Sequence, residues 1–340
     1  MSEFTVALID SRGDPSFPIE EEVVRAAGGR LVIANSQSDD EVLAVAKGAD
    51  AILCRMYHMN RAMMEKLEGV KVIVRGGVGF DNLDVDAATD NGIIICNVVD
   101  YGYHEVANHA FAMLMALNRK LVQLDRGIRA GDPRINPAHP ESIQLPTGRL
   151  HGETLGLVAF GRIAQEVAKR AGGFDMRVLA YDPAPNEARA RELGVELVDL
   201  DTVMRESDYV SVHAPLMPAT RNLIGARELG LMKPTAYIVL TSRGGVIDEA
   251  ALAAAVRGKV IAGAGVDTVV TEPIRSDDPL LQVDNIIVTP HSAYFSQVSV
   301  QILRRWFAEA AVDVCRGVMP RHVVNKAVLA RFALTPRSAD

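Results

Sequence analysis

Three polar residues, far apart in the sequence, could together reduce a carbonyl group. They are Arg243, Glu272 and His291, and each follows a short apolar run that predicts a strand. Histidine titrates near neutral pH, so His291 could give a proton to a carbonyl oxygen when hydride reaches the carbon. A carboxylate such as Glu272 could orient and charge that imidazole. Arg243 could hold a carboxylate by two hydrogen bonds and polarise the carbonyl. The three types together predict hydride transfer to a small 2-oxo acid, or from a 2-hydroxy acid.

A dinucleotide site is predicted by GETLGLVAFGRIAQEVAKRAGGFDMRVLAYDP, residues 152–183. An apolar strand runs into a turn, a helix follows, and a second strand ends at Asp182. The helix N-terminus presents free N–H groups and a positive dipole to a pyrophosphate, and an acid about 20 residues further on can bind ribose hydroxyls. The predicted cofactor-binding residues of this turn are Phe160, Gly161, Arg162 and Ile163.

The turn departs from the usual fingerprint at two positions. Ala159 and Ala164 stand where glycine is usual. Alanine is an accepted variant at the second of these positions, which controls helix packing. At the first, alanine restricts the turn unless its φ is negative. Asp182 repels a 2′-phosphate, so the sequence favours NAD over NADP.

The elements that must position these residues alternate between short apolar strands and amphipathic helices, which predicts an α/β fold with parallel sheets. The predicted strands of the first hundred residues are Thr5–Ile9, Leu31–Ala34, Ala51–Cys54, Val72–Val74 and Ile93–Cys96. Residues 104–124 have the pattern of one long helix, followed by an extended loop at 127–150 rich in glycine and proline. A second series predicts a doubly wound sheet of seven strands: Thr154–Ala159, Arg177–Tyr181, Glu196–Val198, Tyr209–His213, Tyr237–Thr241, Ile261–Val266 and Asn285–Thr289. A last helix is predicted over 297–315.

Composition excludes several classes of partner. The chain has 340 residues and a formal net charge of −7, which disfavours nucleic acid as a partner because phosphate binding needs a basic surface. No apolar run is long enough to span a bilayer, and the N-terminal residues lack the pattern of a signal peptide. The three cysteines, Cys54, Cys96 and Cys315, lack metal-ligand spacing and are predicted to be free thiols in a reducing cytoplasm. We therefore expect a cytoplasmic protein without a metal site.

Seven ordered motifs resemble the D-isomer-specific 2-hydroxyacid dehydrogenase family over residues 5 to 325. They are VRGGVGFDN (74–82), NVVDYGYHEVANHAFAMLM (97–115), GETLGLVAFGRIAQEVA (152–168), VSVHAPLMPATRNLI (210–224), TSRGGVIDEAAL (241–252), GAGVDTVVTEP (263–273) and TPHSAYFS (289–296). The resemblance implies that Arg243, Glu272 and His291 are the catalytic set and that NAD is the cofactor. It also implies two Rossmann-like domains. A doubly wound NAD-binding domain, residues 104–295, is inserted into a smaller flavodoxin-like substrate domain, residues 1–103 with 296–340.

The resemblance assigns further residues to binding. It implies that Gly76 and Gly77, after Arg75, offer backbone amides to the substrate carboxylate, and that Asp267 contacts the nicotinamide amide. The other residues implied to line the cofactor cleft are His213, Pro215, Thr220, Thr241 and Ser242. It further implies a homodimer joined through the NAD-binding domain.

Several motifs look most like the C-terminal binding protein branch of that family, in which an aromatic residue at the position of Tyr294 shapes the substrate pocket. Asn108, where an acid is common, and Thr268–Val270, where an aromatic residue often follows, depart from the family pattern and bear on substrate identity. Two alternatives stay open at this stage. One is an NAD(H)-sensing scaffold like the corepressors of that branch, and the other is a phosphite- or formate-type dehydrogenase on the same fold.

Overall fold

A computed structural model describes residues 3–14, 16–132, 135 and 147–337, which form two compact units. The terminal unit combines Met1–Gly102 with Ser296–Asp340, and the inserted unit is Tyr103–Phe295. The inserted unit is continuous in sequence, whereas the terminal unit is built from both ends of the chain.

The terminal unit contains a sheet of five parallel strands in the order β2-β1-β3-β4-β5. Because the strand order reverses between β1 and β3, this is the flavodoxin-like arrangement that the sequence predicts. The strands are β1 (Phe4–Leu8), β2 (Gly29–Ile33), β3 (Ala51–Cys54), β4 (Val72–Arg75) and β5 (Ile94–Asn97). The helices are α1 (Pro18–Ala26), α2 (Asp39–Ala46), α3 (Arg61–Met64), α4 (Val85–Asp90) and, after the inserted unit, α12 (Gln297–Cys315), with a 3₁₀ helix at Lys326–Arg331.

Local sequence explains these elements. All four residues of β3 and of β4 are buried, as expected of short apolar strands covered on both faces. Several helices begin at a polar residue whose side chain accepts a backbone N–H of the first turn, which would otherwise lack a partner. Ser38, Asp84 and Ser296 do this for α2, α4 and α12.

The inserted unit contains seven parallel strands in the order β12-β11-β10-β9-β6-β7-β8. The order reverses between β6 and β9, which confirms the predicted doubly wound sheet. The strands are β6 (Thr154–Val158), β7 (Arg177–Tyr181), β8 (Val195–Leu197), β9 (Tyr209–Val212), β10 (Tyr237–Leu240), β11 (Gly263–Val266) and β12 (Ile286–Val288). The helices are α5 (Tyr103–Asn118), α6 (Leu121–Ala130), α7 (Arg162–Gly172), α8 (Glu187–Glu192), α9 (Leu200–Glu206), α10 (Ala226–Leu229) and α11 (Glu249–Arg257), with a 3₁₀ helix at Pro279–Gln282.

Apolar side chains cover both faces of this sheet. In β10, Tyr237 and Val239 belong to one hydrophobic core, and Ile238 and Leu240 belong to the other. The helix α5 contacts β10 and β11. A Cβ at Gly265 of β11 would lie 3.2 Å from the Cβ of Met113, so the missing side chain lets α5 approach this strand closely.

The single long helix predicted over 104–124 is wrong, because the chain breaks between α5 and α6. Lys120 has a left-handed backbone with φ of 54° and donates from Nζ to the Tyr237 hydroxyl at 2.7 Å. The extended loop predicted at 127–150 is also partly wrong, since α6 continues to Ala130. The rest of that prediction lies largely outside the described residues.

The three cysteines are free, as predicted, with Cys54 and Cys96 buried and Cys315 partly buried. Burial raises the pKa of the Cys54 and Cys96 thiols, and it raises the pKa of Cys315 to about 12. Such thiols carry little thiolate at neutral pH and are therefore poor nucleophiles. Within the described ranges, no helix combines the length and the apolar character needed to cross a bilayer.

Candidate active site

The predicted dinucleotide turn connects β6 to α7 at the point where the strand order reverses. Gly161 is the N-cap of α7, and a Cβ built on it would meet no atom within 4 Å. Open space beside this glycine leaves room for a ligand against the backbone N–H groups of Arg162 and Ile163, which begin the helix. Phe160, by contrast, is buried and packs in the core below the turn.

Ala159 adopts the conformation for which the fingerprint normally uses glycine. Its φ is +70°, whereas alanine is unstrained at this position only when φ is negative. A left-handed conformation costs an L-residue about 1–2 kcal/mol. The turn therefore keeps the geometry of the fingerprint at a cost in stability.

Asp182, after β7, lies against this turn. Its Oδ2 accepts a hydrogen bond from the Phe160 N–H at 2.8 Å, and its Oδ1 accepts one from the Ala184 N–H at 2.8 Å. A carboxylate has about four lone-pair sites, so two backbone bonds leave capacity for hydroxyl donors. The position of Asp182 fits the predicted contact with a ribose.

Polar atoms without partners follow the next two strands. After β9, Nδ1 of His213 is buried, and after β10, so are the Oγ1 of Thr241 and the Oγ of Ser242. None of these atoms has a hydrogen-bond partner among the described residues. Buried polar atoms are normally satisfied, so three of them at the carboxyl edge of one sheet fit a polar ligand such as a dinucleotide.

His213 is neutral in this setting. Burial lowers its pKa to about 4, and its Nε2 lies 2.9 Å from the Ser211 hydroxyl. Pro215 and Thr220 form the following turn, where the Thr220 hydroxyl donates to the Pro215 carbonyl oxygen at 2.5 Å and accepts from the Met217 N–H at 2.8 Å. These two residues shape the loop beside the predicted cofactor cleft.

His291 and Glu272, 19 residues apart in sequence, form a hydrogen-bonded pair. The distance from His291 Nδ1 to Glu272 Oε2 is 2.8 Å, and the two side chains are 26% and 29% exposed. The bond fixes Nδ1 of the imidazole and leaves Nε2, on the opposite side of the ring, for a substrate. This is the arrangement of an acid–base histidine oriented by a carboxylate.

The charge of Glu272 is stabilised by its neighbours. Partial burial by itself raises the pKa of this carboxyl group, but four interactions outweigh it. The hydrogen bond from His291, the charge of that imidazole, the Val269 N–H and the Arg243 guanidinium together hold the pKa of Glu272 below its ordinary value. The Arg243 guanidinium also donates from Nη1 to the Ser242 carbonyl oxygen at 2.9 Å.

Asp267, after β11, holds the segment that carries His291. Its carboxylate accepts from the Thr289 hydroxyl at 2.5 Å and from the N–H groups of Ser292 and Ala293 at 2.9 and 3.0 Å. The His291 N–H donates to the Asp267 carbonyl oxygen at 2.8 Å. Because the Asp267 side chain is only 1% exposed, these contacts support a positioning role, and direct contact with a nicotinamide amide stays a prediction that they do not support.

His109 on α5, to which the sequence analysis assigns no role, lies beside the segment that carries His291. Its Nε2 lies 3.0 Å from the Thr289 hydroxyl and 3.6 Å from Asp267 Oδ1. Tyr294, three residues after His291, makes an edge contact with that imidazole, with ring centroids 6.2 Å apart.

In the terminal unit, the N–H groups of the predicted amide donors Gly76 and Gly77 are already occupied. The Gly76 N–H already donates to the Cys54 carbonyl oxygen and the Gly77 N–H to that of Arg75, both at 2.9 Å. The N–H groups of the next two residues, Val78 and Gly79, donate to no acceptor in the described part of the chain. Occupied N–H groups are poor carboxylate ligands, so Val78 and Gly79 replace the two glycines as candidates.

Arg75 is turned back onto its own loop. Its side chain is buried, its Nη1 donates to the Gly76 carbonyl oxygen at 3.0 Å, and its Nη2 lies 3.6 Å from the Met56 sulfur. Gly77 has a φ of +148°, and a Cβ there would collide with Nη1 of Arg75 at 1.7 Å. The positive φ therefore favours glycine at position 77, and a side chain there would displace the Arg75 guanidinium.

The sequence of the chain is similar to a known protein family. The family model of the D-isomer specific 2-hydroxyacid dehydrogenase NAD binding domain matches residues 111–293. A glyoxylate reductase of Korarchaeum cryptofilum is 39% identical over 284 residues, which are 83% of this chain and 85% of the relative. A D-3-phosphoglycerate dehydrogenase of Archaeoglobus fulgidus is 35% identical over 312 residues, which are 91% of this chain but only 58% of that longer protein.

A solved structure extends the similarity to the whole fold. The NAD-complexed form of a D-isomer specific 2-hydroxyacid dehydrogenase from Lactobacillus delbrueckii ssp. bulgaricus superposes with a TM-score of 0.77. The sequence identity is 25%, and the superposition covers 94% of this chain and 100% of that one.

Proposed function

Because the chain belongs to the D-isomer specific 2-hydroxyacid dehydrogenase family and takes NAD as its cofactor, we propose that it interconverts a small 2-oxo acid and its D-2-hydroxy acid. The observation that carries the proposal is the hydrogen bond of 2.8 Å between His291 and Glu272. The Arg243 guanidinium helps to lower the pKa of that carboxyl group. The resemblance to the C-terminal binding protein branch stays a prediction, since both curated relatives reported above are named as dehydrogenases or reductases.

His291 is the proposed acid and base of the reaction. In the reductive direction, its Nε2 gives a proton to the carbonyl oxygen, and the Glu272 carboxylate stabilises the imidazolium before that transfer. In the oxidative direction, the neutral imidazole takes the hydroxyl proton. Bound NADH supplies the hydride that reaches the carbonyl carbon, so one hydride and one proton convert the ketone to the alcohol.

Arg243 is the proposed ligand of the substrate. A guanidinium can bind the substrate carboxylate by two parallel hydrogen bonds and polarise the adjacent carbonyl. Within the terminal unit by itself, the backbone N–H groups of Val78 and Gly79 are proposed to bind an anion, because backbone donors hold an anion in a fixed place without a mobile charge.

The cofactor is proposed to lie along the carboxyl edge of the inserted sheet. The N–H groups at the start of α7 bind the pyrophosphate, and Asp182 binds the ribose hydroxyls. His213, Thr241 and Ser242 supply polar partners further along the same edge, where their unpartnered atoms lie.

Asp182 is expected to set the preference for NADH over NADPH, because its carboxylate repels a 2′-phosphate. Replacement of Asp182 by alanine should lower the ratio of kcat/KM for NADH to that for NADPH by about tenfold or more, the effect of one close charge pair. Steady-state kinetics with both cofactors measure the ratio, and Asp199→Ala, which removes an exposed helix cap, is the control. An unchanged ratio in Asp182→Ala would remove this residue from the cofactor site.

A homodimer formed through the inserted unit is also proposed. The support is α6, in which no residue is buried and Leu121 and Ile128 are 56% and 52% exposed. Apolar side chains exposed on one amphipathic helix are typical of an interface. Light scattering coupled to size exclusion should give twice the mass of the chain, and Ile128→Glu should give the monomer mass.

The test of the proposed reaction is a panel of 2-oxo acids with NADH. Loss of NADH absorbance reports turnover, and chiral chromatography reports the product. We expect reduction of at least one 2-oxo acid to the D-hydroxy product, with KM raised by a factor of about 100 in Arg243→Lys, which keeps the charge but loses the two-point geometry. Failure to reduce any 2-oxo acid, or formation of the L-product, would overturn the proposal.

A further inference from the structure

Glu272, the carboxylate that pairs with His291, lies on an irregular segment of the inserted unit between β11 and the 3₁₀ helix at Pro279–Gln282. We refer to residues 268–273 as the Glu272 loop. Val270 of this loop is 62% exposed, so its side chain contributes little apolar packing that could hold the loop. A carboxylate orients a histidine only when its own backbone is supported, so the hydrogen bonds of this loop bear on the reaction.

Two consecutive N–H groups of the Glu272 loop donate to carboxylates. The Val269 N–H donates to Oε1 of Glu272 at 3.3 Å, which is a bond within the loop. The Val270 N–H donates to Oε1 of Glu249 at 2.6 Å. The second bond ties the loop to another element, because Glu249 is the first residue of α11.

The backbone that carries Glu249 is fixed on two sides. Asp248, the N-cap of α11, accepts the Ala251 N–H through its side chain at 3.0 Å. The Asp248 N–H donates to the Ile224 carbonyl oxygen at 2.9 Å. The start of the helix is therefore anchored both to its own first turn and to a neighbouring segment, which gives the Glu249 side chain a rigid base.

The same turn of the chain also carries Arg243. Residues 241–249 have the sequence TSRGGVIDE, with Arg243 near the beginning and Glu249 at the end. Gly244 lies directly against the Glu272 loop, because a Cβ built on it would overlap the backbone of two loop residues. The missing side chain lets the two backbones pack in direct contact. The turn and the loop are therefore joined at Gly244 and by the hydrogen bond of Glu249.

The surroundings of Glu249 disfavour a negative charge. Burial raises the pKa of its carboxyl group, the Val270 N–H lowers it, and the charges of Asp278, Asp248 and Glu272 raise it again. An acid that is kept where its charge is disfavoured indicates a specific task. The hydrogen bond to the Glu272 loop is such a task.

We propose, on the basis of the function proposed above, that Glu249 is a positioning residue of the reaction, whose hydrogen bond to Val270 keeps Glu272 paired with His291. Glu249 acts through the Glu272 loop and needs no contact with the substrate. The role requires its acceptor oxygen rather than its negative charge. Without this bond, the loop samples positions in which Glu272 does not reach Nδ1 of His291, and the productive fraction of the enzyme falls.

Three variants separate the acceptor from the charge. Glu249→Ala loses both, Glu249→Asp keeps the charge but shortens the side chain by about 1.5 Å, and Glu249→Gln keeps an acceptor oxygen at the same reach. In NADH-dependent reduction of a 2-oxo acid, kcat should fall about tenfold in Glu249→Ala and Glu249→Asp, the scale of a hydrogen bond to a charged acceptor. In Glu249→Gln, kcat should stay within about threefold of wild type, since a neutral acceptor keeps most of that bond. KM for NADH should not change.

Glu187→Ala is the matched control for these variants. Glu187 is also the first residue of a helix, α8, and follows the N-cap Asn186, so its removal costs the same interaction with a helix N-terminus. Its kcat should equal that of wild type. An unchanged kcat in Glu249→Ala, or a loss in Glu249→Gln as large as in Glu249→Ala, would overturn the positioning role and leave the proposed reaction intact. A wild-type enzyme that reduces no 2-oxo acid would overturn both.

The pH profile distinguishes positioning from a general loss of folded enzyme. His291 holds the pKa of Glu272 down, so weaker pairing in Glu249→Asp should move the acid limb of kcat/KM to higher pH, by up to about one pH unit. Glu249→Gln should not move the limb upward. A loss of kcat/KM by the same factor at every pH in Glu249→Asp would reduce Glu249 to a structural residue and overturn the proposal.

Amide hydrogen exchange gives a second measurement that needs no turnover. Exchange of the Glu272 loop should be faster in Glu249→Asp than in wild type, because the Val270 N–H loses its acceptor, and should be close to wild type in Glu249→Gln. Equal protection of the loop in wild type and Glu249→Asp would contradict the proposal. If Glu249→Ala does not fold, the comparison of Glu249→Asp with Glu249→Gln still decides it.

Discussion

The two sheets each contain a reversal of strand order, but their carboxyl edges differ in chemistry. In the inserted unit, the edge carries charged residues and buried polar atoms without partners, among them His213 Nδ1 and Ser242 Oγ. In the terminal unit, the buried Asp10 carboxylate is satisfied by three N–H groups, and the exposed side chains are apolar. Parallel sheets thus fix where a ligand can bind, whereas the residues after each strand decide which polar or apolar groups that edge offers.

The largest effect is expected for His291, the residue on which the reactive edge depends. His291→Asn should lower kcat by a factor of about 10²–10⁴, because general acid–base catalysis contributes this much, and should leave KM for NADH nearly unchanged. Stopped-flow and steady-state assays measure both constants. His151→Asn is the matched control, since His151 is 62% exposed and pairs with Asp175. A kcat within twofold of wild type would show that His291 is not the acid and base of the reaction.

A smaller effect is expected for the partner of that histidine. Glu272→Gln keeps an acceptor for Nδ1 but loses the charge, so kcat/KM at neutral pH should fall about 10- to 100-fold, the value of a charge-assisted hydrogen bond.

The lowered pKa of Glu272 also predicts how kcat/KM depends on pH. Because its pKa is lowered in the folded protein, the stabilising charge is present above the ordinary glutamate pKa and is lost as pH falls through the lowered value. The acid limb of the wild-type kcat/KM profile should therefore lie below the ordinary glutamate range, and Glu272→Gln should lack it. An acid limb that is the same in both proteins would show that another group titrates there.

His109 is expected to act more weakly, through Thr289 and Asp267. His109→Leu removes the bond to the Thr289 hydroxyl and should lower kcat about 2- to 10-fold, the range for one net hydrogen bond. His109→Gln, which can still donate to that hydroxyl, should recover most of the loss. Equal kcat values in the two variants would exclude a positioning role for His109.

The smallest effect concerns Ala159, where the edge departs from the fingerprint. Ala159→Gly should relieve the left-handed strain and raise the free energy of unfolding by about 0.5–1 kcal/mol, with little change in kcat. Ala164→Gly should lower it by about 1 kcal/mol or more, because Ala164 is a buried residue inside α7. Urea unfolding of both variants measures the difference, and destabilisation by both would show that strain at Ala159 is absent.

The strands of both sheets could largely be predicted from the sequence, because short apolar runs between amphipathic helices are typical of parallel strands covered on both faces. The bounds of β3 and β7 agree residue for residue with the prediction. Arg243, Glu272 and His291, which follow β10, β11 and β12, could be predicted because an arginine, a carboxylate and a histidine together suit the reduction of a carbonyl group. The pairing of His291 with Glu272 is expected for the same reason, since a carboxylate orients an acid–base histidine.

The remaining features depend on contacts that are distant in sequence. The break at Lys120 is stabilised by Tyr237, which is 117 residues away. The Gly76 N–H is occupied by the carbonyl oxygen of Cys54 on the neighbouring strand, and the contacts of His109 are made with Thr289, 180 residues away. No local pattern encodes such partners, so the contacts of His109 and the choice of Val78 and Gly79 as amide donors could not be predicted from sequence alone.

The side chain of Asp267 holds the segment around His291 through residues other than His291 itself, so the side chain at position 291 can be substituted without loss of these contacts. Its carboxylate binds Thr289, Ser292 and Ala293, while the imidazole of residue 291 takes no part in that anchorage. The backbone at position 291 has a φ of 51°, which asparagine and glycine also tolerate. An asparagine at position 291 can therefore present an amide in place of the imidazole on an unchanged main chain, and an engineered activity could start from this substitution.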